Sequence, residues 1–136
     1  KMTTYPSTRR VVLLSGGVES VTLLHMLNKE RQRSGASCGS ELIPLFVDYA
    51  QRGAEMERAA CASACKQLGL HLVQLDASEV GSGFRRRQKA RLHVPIPHRN
   101  LFILSLAASL ATQEKANSVV LALQNGDTDW YPSAGL

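Results

Sequence analysis

Val11-Val12-Leu13-Leu14-Ser15-Gly16-Gly17-Val18-Glu19-Ser20 is the stretch that decides the fold. A short apolar run ends in two adjacent glycines, and helical periodicity begins directly after them. Glycine permits positive φ angles and close backbone approach, and the unpaired N–H groups of a helix start bind anions. The stretch therefore predicts a strand, a phosphate-binding turn and a helix start, with hydroxyl donors from Ser15 and Ser20. Its spacing is neither GxxxxGKS/T nor GxGxxG, which excludes a kinase-type P-loop and the usual dinucleotide fingerprint.

Strand and helix patterns alternate along the rest of the chain. Apolar runs predict strands at 11–14, 42–47, 70–75 and 118–123, and helical spacing predicts helices at 19–33, 54–68 and 100–115. We expect Pro44 to interrupt the second strand early and Gly69 to end the second helix. The last helix should present one side made of Leu101, Leu104, Ala108 and Ala111. The segment 76–97 contains Gly81-Ser82-Gly83, a basic run and two prolines, so we expect it to be irregular.

This alternation predicts an α/β fold in which a mainly parallel, Rossmann-like sheet carries helices on both faces. The length of 136 residues fits a single domain, 1–136. Ligands of such sheets bind beyond the carboxyl ends of the strands, near the point where strand order reverses. The loops after the four predicted strands hold much of the concentrated polar and glycine content, at 15–20, 48–53, from 76 onward and at 124–132. We therefore expect the functional site among these loops.

Composition places the chain among ordinary soluble globular proteins. Hydrophobic residues make up 44% and charged residues 20%, and no apolar run approaches the roughly 20 residues of a membrane span. The net charge of +5 suits anionic ligands such as nucleotides. The odd count of cysteines, Cys38, Cys61 and Cys65, argues for a reducing compartment and hence the cytoplasm. Cys61 and Cys65 lie four residues apart at helical spacing, so we expect them in the core rather than at a metal.

Four separated motifs carry a resemblance to a known family. Residues 15–20 resemble the SGGxDS signature of the PP-loop ATP pyrophosphatases, with Glu19 where that superfamily usually has Asp. Three further stretches are similar to the 7-cyano-7-deazaguanine synthases of queuosine biosynthesis: 47–52 resembles F-D-Y-G-Q-R, 97–105 resembles P-x-R-N-x-x-F/I-L-S, and 124–132 resembles G-x-N-A-x-D-x-S-G-Y-P. The chain departs from the family at Gly53, Asp129, Trp130 and Ser133.

The resemblance implies an adenine nucleotide alpha hydrolase-like fold and an ATP-dependent carbon–nitrogen ligase. Its reaction would be adenylation of 7-carboxy-7-deazaguanine with release of pyrophosphate, amidation by ammonia and dehydration to the nitrile, with ATP and Mg²⁺. A homodimer is also implied. The family places a cysteine cluster for Zn²⁺ in its C-terminal region, and this chain ends at Leu136 before such a cluster. We therefore expect no zinc ligands in this chain and a missing C-terminal part.

Site residues follow from the same resemblance, position by position. The ATP-binding set is Ser15, Gly16, Gly17, Val18, Glu19, Ser20 and Val47, with Glu19 also a ligand for Mg²⁺. The substrate-binding set is Tyr49, Gln51, Asn100, Asp127 and Tyr131. The catalytic set is Glu19, Arg52 and Arg99. For Asp127 we infer a contact with the guanidine-like edge of the base, because a carboxylate accepts two hydrogen bonds from adjacent N–H donors.

Plainer interpretations and rival functions stay open at this point. Arg52 and Arg99 could form surface ion pairs, Asn100 could cap its helix, Tyr49 could pack in the core and Asp127 could cap a turn. The basic run from Arg85 to Arg91 is compatible with a solvated face, a lid over an anionic substrate or contact with tRNA. The rival functions are a PP-loop enzyme with another acceptor, such as tRNA, and a non-catalytic ATP-binding module.

Overall fold

The computed structural model describes residues 8–35, 40–88 and 95–122, which contain four strands and four helices that alternate except where the fourth helix follows the third. In chain order they are β1 (Arg9–Leu14), α1 (Val18–Arg33), β2 (Glu41–Asp48), α2 (Ala54–Leu68), β3 (Val73–Asp76), α3 (Ser78–Arg86), α4 (Arg99–Gln113) and β4 (Ser118–Val120). Every predicted strand and helix is present, with ends displaced by a few residues. Gly69 ends α2 with a left-handed backbone, φ 66°, as predicted.

The described strands form one parallel sheet in the order β3-β2-β1-β4. From β1 the chain moves outward to β2 and β3, and it then returns to the opposite side of β1 as β4. The strand order therefore reverses between β1 and β4, which is where sheets of this class bind ligands. The predicted parallel α/β architecture is confirmed.

Helices cover both faces of this sheet. Successive side chains of a strand point to opposite sides, and those of β1 are apolar on both, so each face needs a covering layer. Val11 and Leu13 of β1 face α4, whereas Val12 and Leu14 face α1 and α2. The core beneath α4 includes Ile43, Leu45, Val47, Ala107, Leu110 and Ala111. The core beneath α1 and α2 includes Leu24, Leu27, Leu42, Phe46, Cys61 and Cys65. Cys61 and Cys65 are thus core residues, as predicted, while Cys38 lies outside the described residues.

The segment predicted to be irregular contains α3, so that prediction was wrong for its first half. A glycine-rich stretch is typical of loops, but Gly81 serves a different purpose. A Cβ at this position would lie 1.7 Å from the carbonyl oxygen of Tyr49, so only glycine lets the helix approach the loop after β2 this closely. Arg85 Nη2 of α3 donates to Ala50 O of this loop at 2.9 Å, and Ala77 N–H, directly before α3, donates to Asp48 O at the end of β2 at 2.6 Å.

Two smaller expectations also need correction. Pro44 lies inside β2 without interrupting it, because pairing with β3 begins only at Leu45 and requires no N–H from the proline. On α4, Leu101 is half exposed and Ala108 is exposed, and the buried positions are Asn100, Ala107, Leu110 and Ala111. The buried side is therefore rotated from the predicted one and includes a polar residue at its start. Within the described ranges, no helix is long and apolar enough to cross a membrane.

Candidate functional site

A cavity of about 280 Å³ opens at the carboxyl edge of the sheet, beside the ends of β1 and β4. Its position matches the reversal of strand order at which ligands of this fold class bind. The lining comes from both helical layers and comprises Leu13, Leu14, Ser15, Glu19, Ser20, Val47, Tyr49, Gln51, Glu57, Arg99, Asn100, Ile103, Leu121 and Ala122. Eight residues of the predicted site therefore line one cavity: Ser15, Glu19, Ser20, Val47, Tyr49, Gln51, Arg99 and Asn100.

The turn between β1 and α1 forms the first wall. Gly17 precedes the helix with an extended backbone and no side-chain cap, so the N–H groups of the first turn are left for another acceptor. Ser20 is buried, and its hydroxyl accepts from Ser15 N–H and donates to Gly17 O, both at 3.1 Å. The Ser20 hydroxyl proton is thus used within the turn. The Glu19 side chain is exposed and lines the cavity.

Helix α2 supports this turn from behind. Gly16 has φ 75°, and a Cβ there would lie 2.7 Å from both Cα and the carbonyl oxygen of Glu57. The position therefore requires glycine for its backbone angle and for the contact with α2. The thiol of Cys61 accepts a hydrogen bond from the Gly16 backbone. Burial is the main cause that raises the pKa of Cys61 to about 12, and the neighbouring Cys65 adds to it, so the thiol keeps its proton at neutral pH.

The loop after β2 forms a second wall, in which Gln51 is the organising side chain. Its Oε1 accepts from Tyr49 N–H at 2.8 Å, and its Nε2 donates to Val47 O at 3.2 Å and to Glu57 Oε2 at 2.9 Å. Gln51 is only 8% exposed, and all its N–H donors are in use. This arrangement places the Glu57 carboxylate in the cavity wall, opposite in charge to the nearby arginine on α4.

The start of α4 forms a third wall. Arg99 donates from Nη1 to the hydroxyl of Tyr49 at 3.3 Å and from Nε to Oδ1 of Asn100 at 3.2 Å. The residue at the N-cap position of this helix is His98, with φ 53°, and no side chain caps this end. The alternative in which Asn100 caps the helix is therefore wrong. Asn100 is 7% exposed, and its Nδ2 has no hydrogen-bond partner among the described residues.

Several residues of the predicted site do not line the cavity. Arg52 is exposed and outside the lining. Gly16, Gly17 and Val18 of the turn are also outside it, with the two glycines partly buried and Val18 exposed. Asp127 and Tyr131 lie outside the described residues, as do the last three residues of the basic run, 89–91. Nothing in the described ranges gathers three or more His, Cys, Asp or Glu side chains for a metal ion.

Sequence reasoning missed Glu57 and the apolar walls. Glu57 lies in the first turn of α2, which follows the predicted β2 loop, and an acidic residue in such a turn faces the carboxyl edge of the sheet. That placement is a signal that could have found it. The apolar lining residues Ile103, Leu121 and Ala122 carry no comparable signal, because core positions look the same in sequence whether or not they border a cavity.

Two solved structures share this fold. The chain superposes on the U34-tRNA thiolase NcsA from Methanococcus maripaludis with a TM-score of 0.64 and 15% identity, covering 87% of this chain and 39% of that one. It superposes on the NH3-dependent NAD synthetase from Campylobacter jejuni with a TM-score of 0.62 and 14% identity, covering 90% and 50%. At these identities the likeness concerns the fold alone, a parallel sheet covered by helices.

Curated relatives are closer in sequence. The 7-cyano-7-deazaguanine synthase of Rhizobium leguminosarum bv. trifolii is 30% identical over 91% of this chain and 55% of its own length. That of Leptospira interrogans serovar copenhageni is 31% identical over 91% and 53%. The chain thus spans about half the length of these relatives. The family model described as queuosine biosynthesis protein QueC matches residues 9–135, which is nearly the whole chain. The chain therefore belongs to the QueC family of queuosine biosynthesis proteins.

Proposed function

We propose that the protein is an ATP-dependent ligase that converts 7-carboxy-7-deazaguanine and ammonia to 7-cyano-7-deazaguanine. The observation that carries this proposal is that one cavity brings together the turn of residues 15–20, at the start of α1, and Arg99 and Asn100, at the start of α4. The turn suits an anion, and the α4 wall supplies a fixed cation and a free amide donor. Membership in the QueC family supports the choice of acceptor.

The α1 start would hold the ATP phosphates. Its first-turn N–H groups have no side-chain cap, and anions bind such helix starts. Glycine at position 16 keeps the backbone of the turn against α2, so the turn is set before nucleotide binds. Glu19 supplies the carboxylate oxygen that Mg²⁺ prefers, and Glu57 supplies a second one in the same lining. The residues present therefore fit a magnesium–nucleotide complex.

The α4 wall would hold and activate the acceptor. The acceptor carboxylate attacks the ATP α-phosphorus, pyrophosphate leaves, and ammonia then displaces AMP to give the amide, which loses water to become the nitrile. Both transfers develop negative charge on oxygen, and the guanidinium of Arg99 is held by Tyr49 and Asn100 where it can offset that charge. Holding the two substrates in one cavity reduces the entropic cost of their reaction.

The experiment measures AMP and pyrophosphate release with ATP, Mg²⁺ and ammonium, in the presence and absence of 7-carboxy-7-deazaguanine. We expect release to depend on the acid and a nitrile product to appear, and we expect a Glu19→Asp variant to keep both. Release that is independent of the acid, or ATP binding without AMP formation in both proteins, would contradict the proposal. The first result would favour another acceptor, and the second a binding module.

Contact with tRNA, a homodimer and a cytoplasmic location stay predictions. Arg85 of the basic run donates to the carbonyl of Ala50, so its guanidinium serves the contact between α3 and the β2 loop. Arg86 and Arg87 lie beside the half-exposed Phe84 and are the other described arginines of that run, which RNA phosphates would contact. RNA binding through them would weaken steeply with added salt.

A further inference from the structure

The amide of Asn100 is the one polar side chain in the cavity lining whose donor is buried and unused among the described residues. Asn100 is 7% exposed, so water does not readily satisfy its Nδ2. A buried amide donor without an acceptor is costly, and most such groups in native proteins have a partner. An unused donor in a cavity wall therefore indicates a missing acceptor atom.

The orientation of this amide is set by its neighbour. Oδ1 of Asn100 accepts from Nε of Arg99 at 3.2 Å, and a rotated amide would direct an NH₂ group at that N–H donor instead. The group left over is therefore the donor and not the acceptor. The ligand atom that completes it must carry a lone pair, as a carboxylate, carbonyl or phosphate oxygen does.

The surroundings favour an anionic oxygen. Asn100 lies in the first turn of α4, which no side chain caps, and beside the Arg99 guanidinium. Helix starts and guanidinium groups both favour negative charge. Ile103 of the next turn and Leu121 after β4 add apolar surface to the same lining. This combination suits a flat ring that bears a carboxylate.

We propose that Nδ2 of Asn100 binds the carboxylate of the acceptor and makes the site select the acid over the same ring without it. This inference rests on the proposed function. The nucleotide phosphates are the other source of an anionic oxygen, and the α1 start on the opposite side of the lining already provides for them. The structure thus assigns the two anionic groups to two helix starts.

The test is a set of binding measurements by calorimetry. The ligands are 7-carboxy-7-deazaguanine, 7-deazaguanine without the carboxylate, and the non-hydrolysable α,β-methylene-ATP. The proteins are the native chain, Asn100→Asp and Asn100→Ser. Asn28→Asp is the matched control, because Asn28 is also buried and its Oδ1 accepts from a guanidinium, that of Arg31 at 2.8 Å, away from the cavity lining.

We expect Asn100→Asp to weaken binding of the acid by about 10- to 100-fold, the range for a hydrogen bond to a charged group. Binding of the decarboxylated ring and of the ATP analogue should change less than about 2-fold. Asn100→Ser should give a smaller loss for the acid alone, and it carries the test if the Asp variant does not fold. Asn28→Asp should leave the affinities of the folded protein unchanged.

The outcomes separate the inference from the proposed function. If the native protein binds the acid and both Asn100 variants bind it equally well, the inference is wrong and the proposed function stands. If the variants weaken the ATP analogue instead, the amide serves a phosphate and the inference is also wrong. If the native protein binds the ATP analogue but not the acid, the proposed function fails and the inference fails with it.

Discussion

Replacing Gly81 by alanine should separate α3 from the loop after β2. The added Cβ would lie 1.7 Å from the carbonyl oxygen of Tyr49 and 2.6 Å from its carbonyl carbon. Ordinary contacts of a Cβ begin near 3.4 Å, twice the first distance. Both of these atoms belong to the backbone of Tyr49, and the position of a Cβ is fixed by its own backbone. No change of side-chain rotamer can therefore relieve the clash, and the helix itself must move.

The expected loss of stability can be estimated from the interactions that this movement of the helix disrupts. Two hydrogen bonds hold α3 and the residue before it in place, from Ala77 N–H to Asp48 O at the end of β2 and from Arg85 of α3 to Ala50 O in the loop, and each contributes about 1 kcal/mol. Overpacking adds a cost of about 1–3 kcal/mol. Alanine is favoured over glycine in a helix by about 1 kcal/mol, which offsets part of the loss. We expect a net loss of about 2–4 kcal/mol in the free energy of unfolding.

Gly83→Ala provides the control within the same helix. A Cβ at Gly83 would meet only Nη2 of Arg86, at 3.8 Å, so the helix preference of alanine should act alone and stabilise by up to about 1 kcal/mol. Urea unfolding of both variants gives the comparison, with midpoints read at constant m-value. If Gly81→Ala is as stable as Gly83→Ala, α3 does not approach the carbonyl of Tyr49 closely enough to require glycine.

Two further predictions concern the turn after β1 and the thiol behind it. Gly16→Ala should lower the free energy of unfolding by about 2–4 kcal/mol and abolish ATP binding, because the added Cβ clashes with Glu57 and the backbone keeps a positive φ. Gly69→Ala is the control: it has φ 66° but open space around the Cβ, so the loss should be only about 1–2 kcal/mol. Equal losses in urea unfolding would contradict this. Burial raises the pKa of Cys61 from 9.0 to about 12, so the unfolded chain releases this proton first and stability should fall by about 1.4 kcal/mol per pH unit between those values. Cys61→Ala should flatten that part of the stability curve, and an unchanged slope would count against the buried thiol.

Sequence periodicity was sufficient for most of the fold. The apolar runs and the spacing of helices located every strand and three of the four helices, because each pattern depends only on local geometry. Helix α3 was missed because Gly81 looks like a loop residue until the position of the Tyr49 carbonyl is known. A close backbone contact between distant segments leaves no periodic trace in sequence.

The candidate site was predictable at the level of loops and less so at the level of roles. The rule for parallel sheets located the cavity, and the motifs named Arg99 and Asn100, which line it. Gln51 was expected to meet the substrate, yet its N–H donors hold Val47 and Glu57. Which polar group is used internally and which is left over depends on side-chain orientation, which a motif does not specify.

The two faces of the sheet have separate cores, so substitutions in one core need not alter the helices packed on the other. Val11 and Val12 are neighbours in the chain, yet the first supports the helix that carries Arg99 and the second supports the helices around the glycine turn. Repacking under α4 would therefore move one wall of the cavity and leave the other in place. On the proposed function, a change of acceptor would then involve one hydrophobic layer and a change in nucleotide binding the other, so the two preferences could evolve separately.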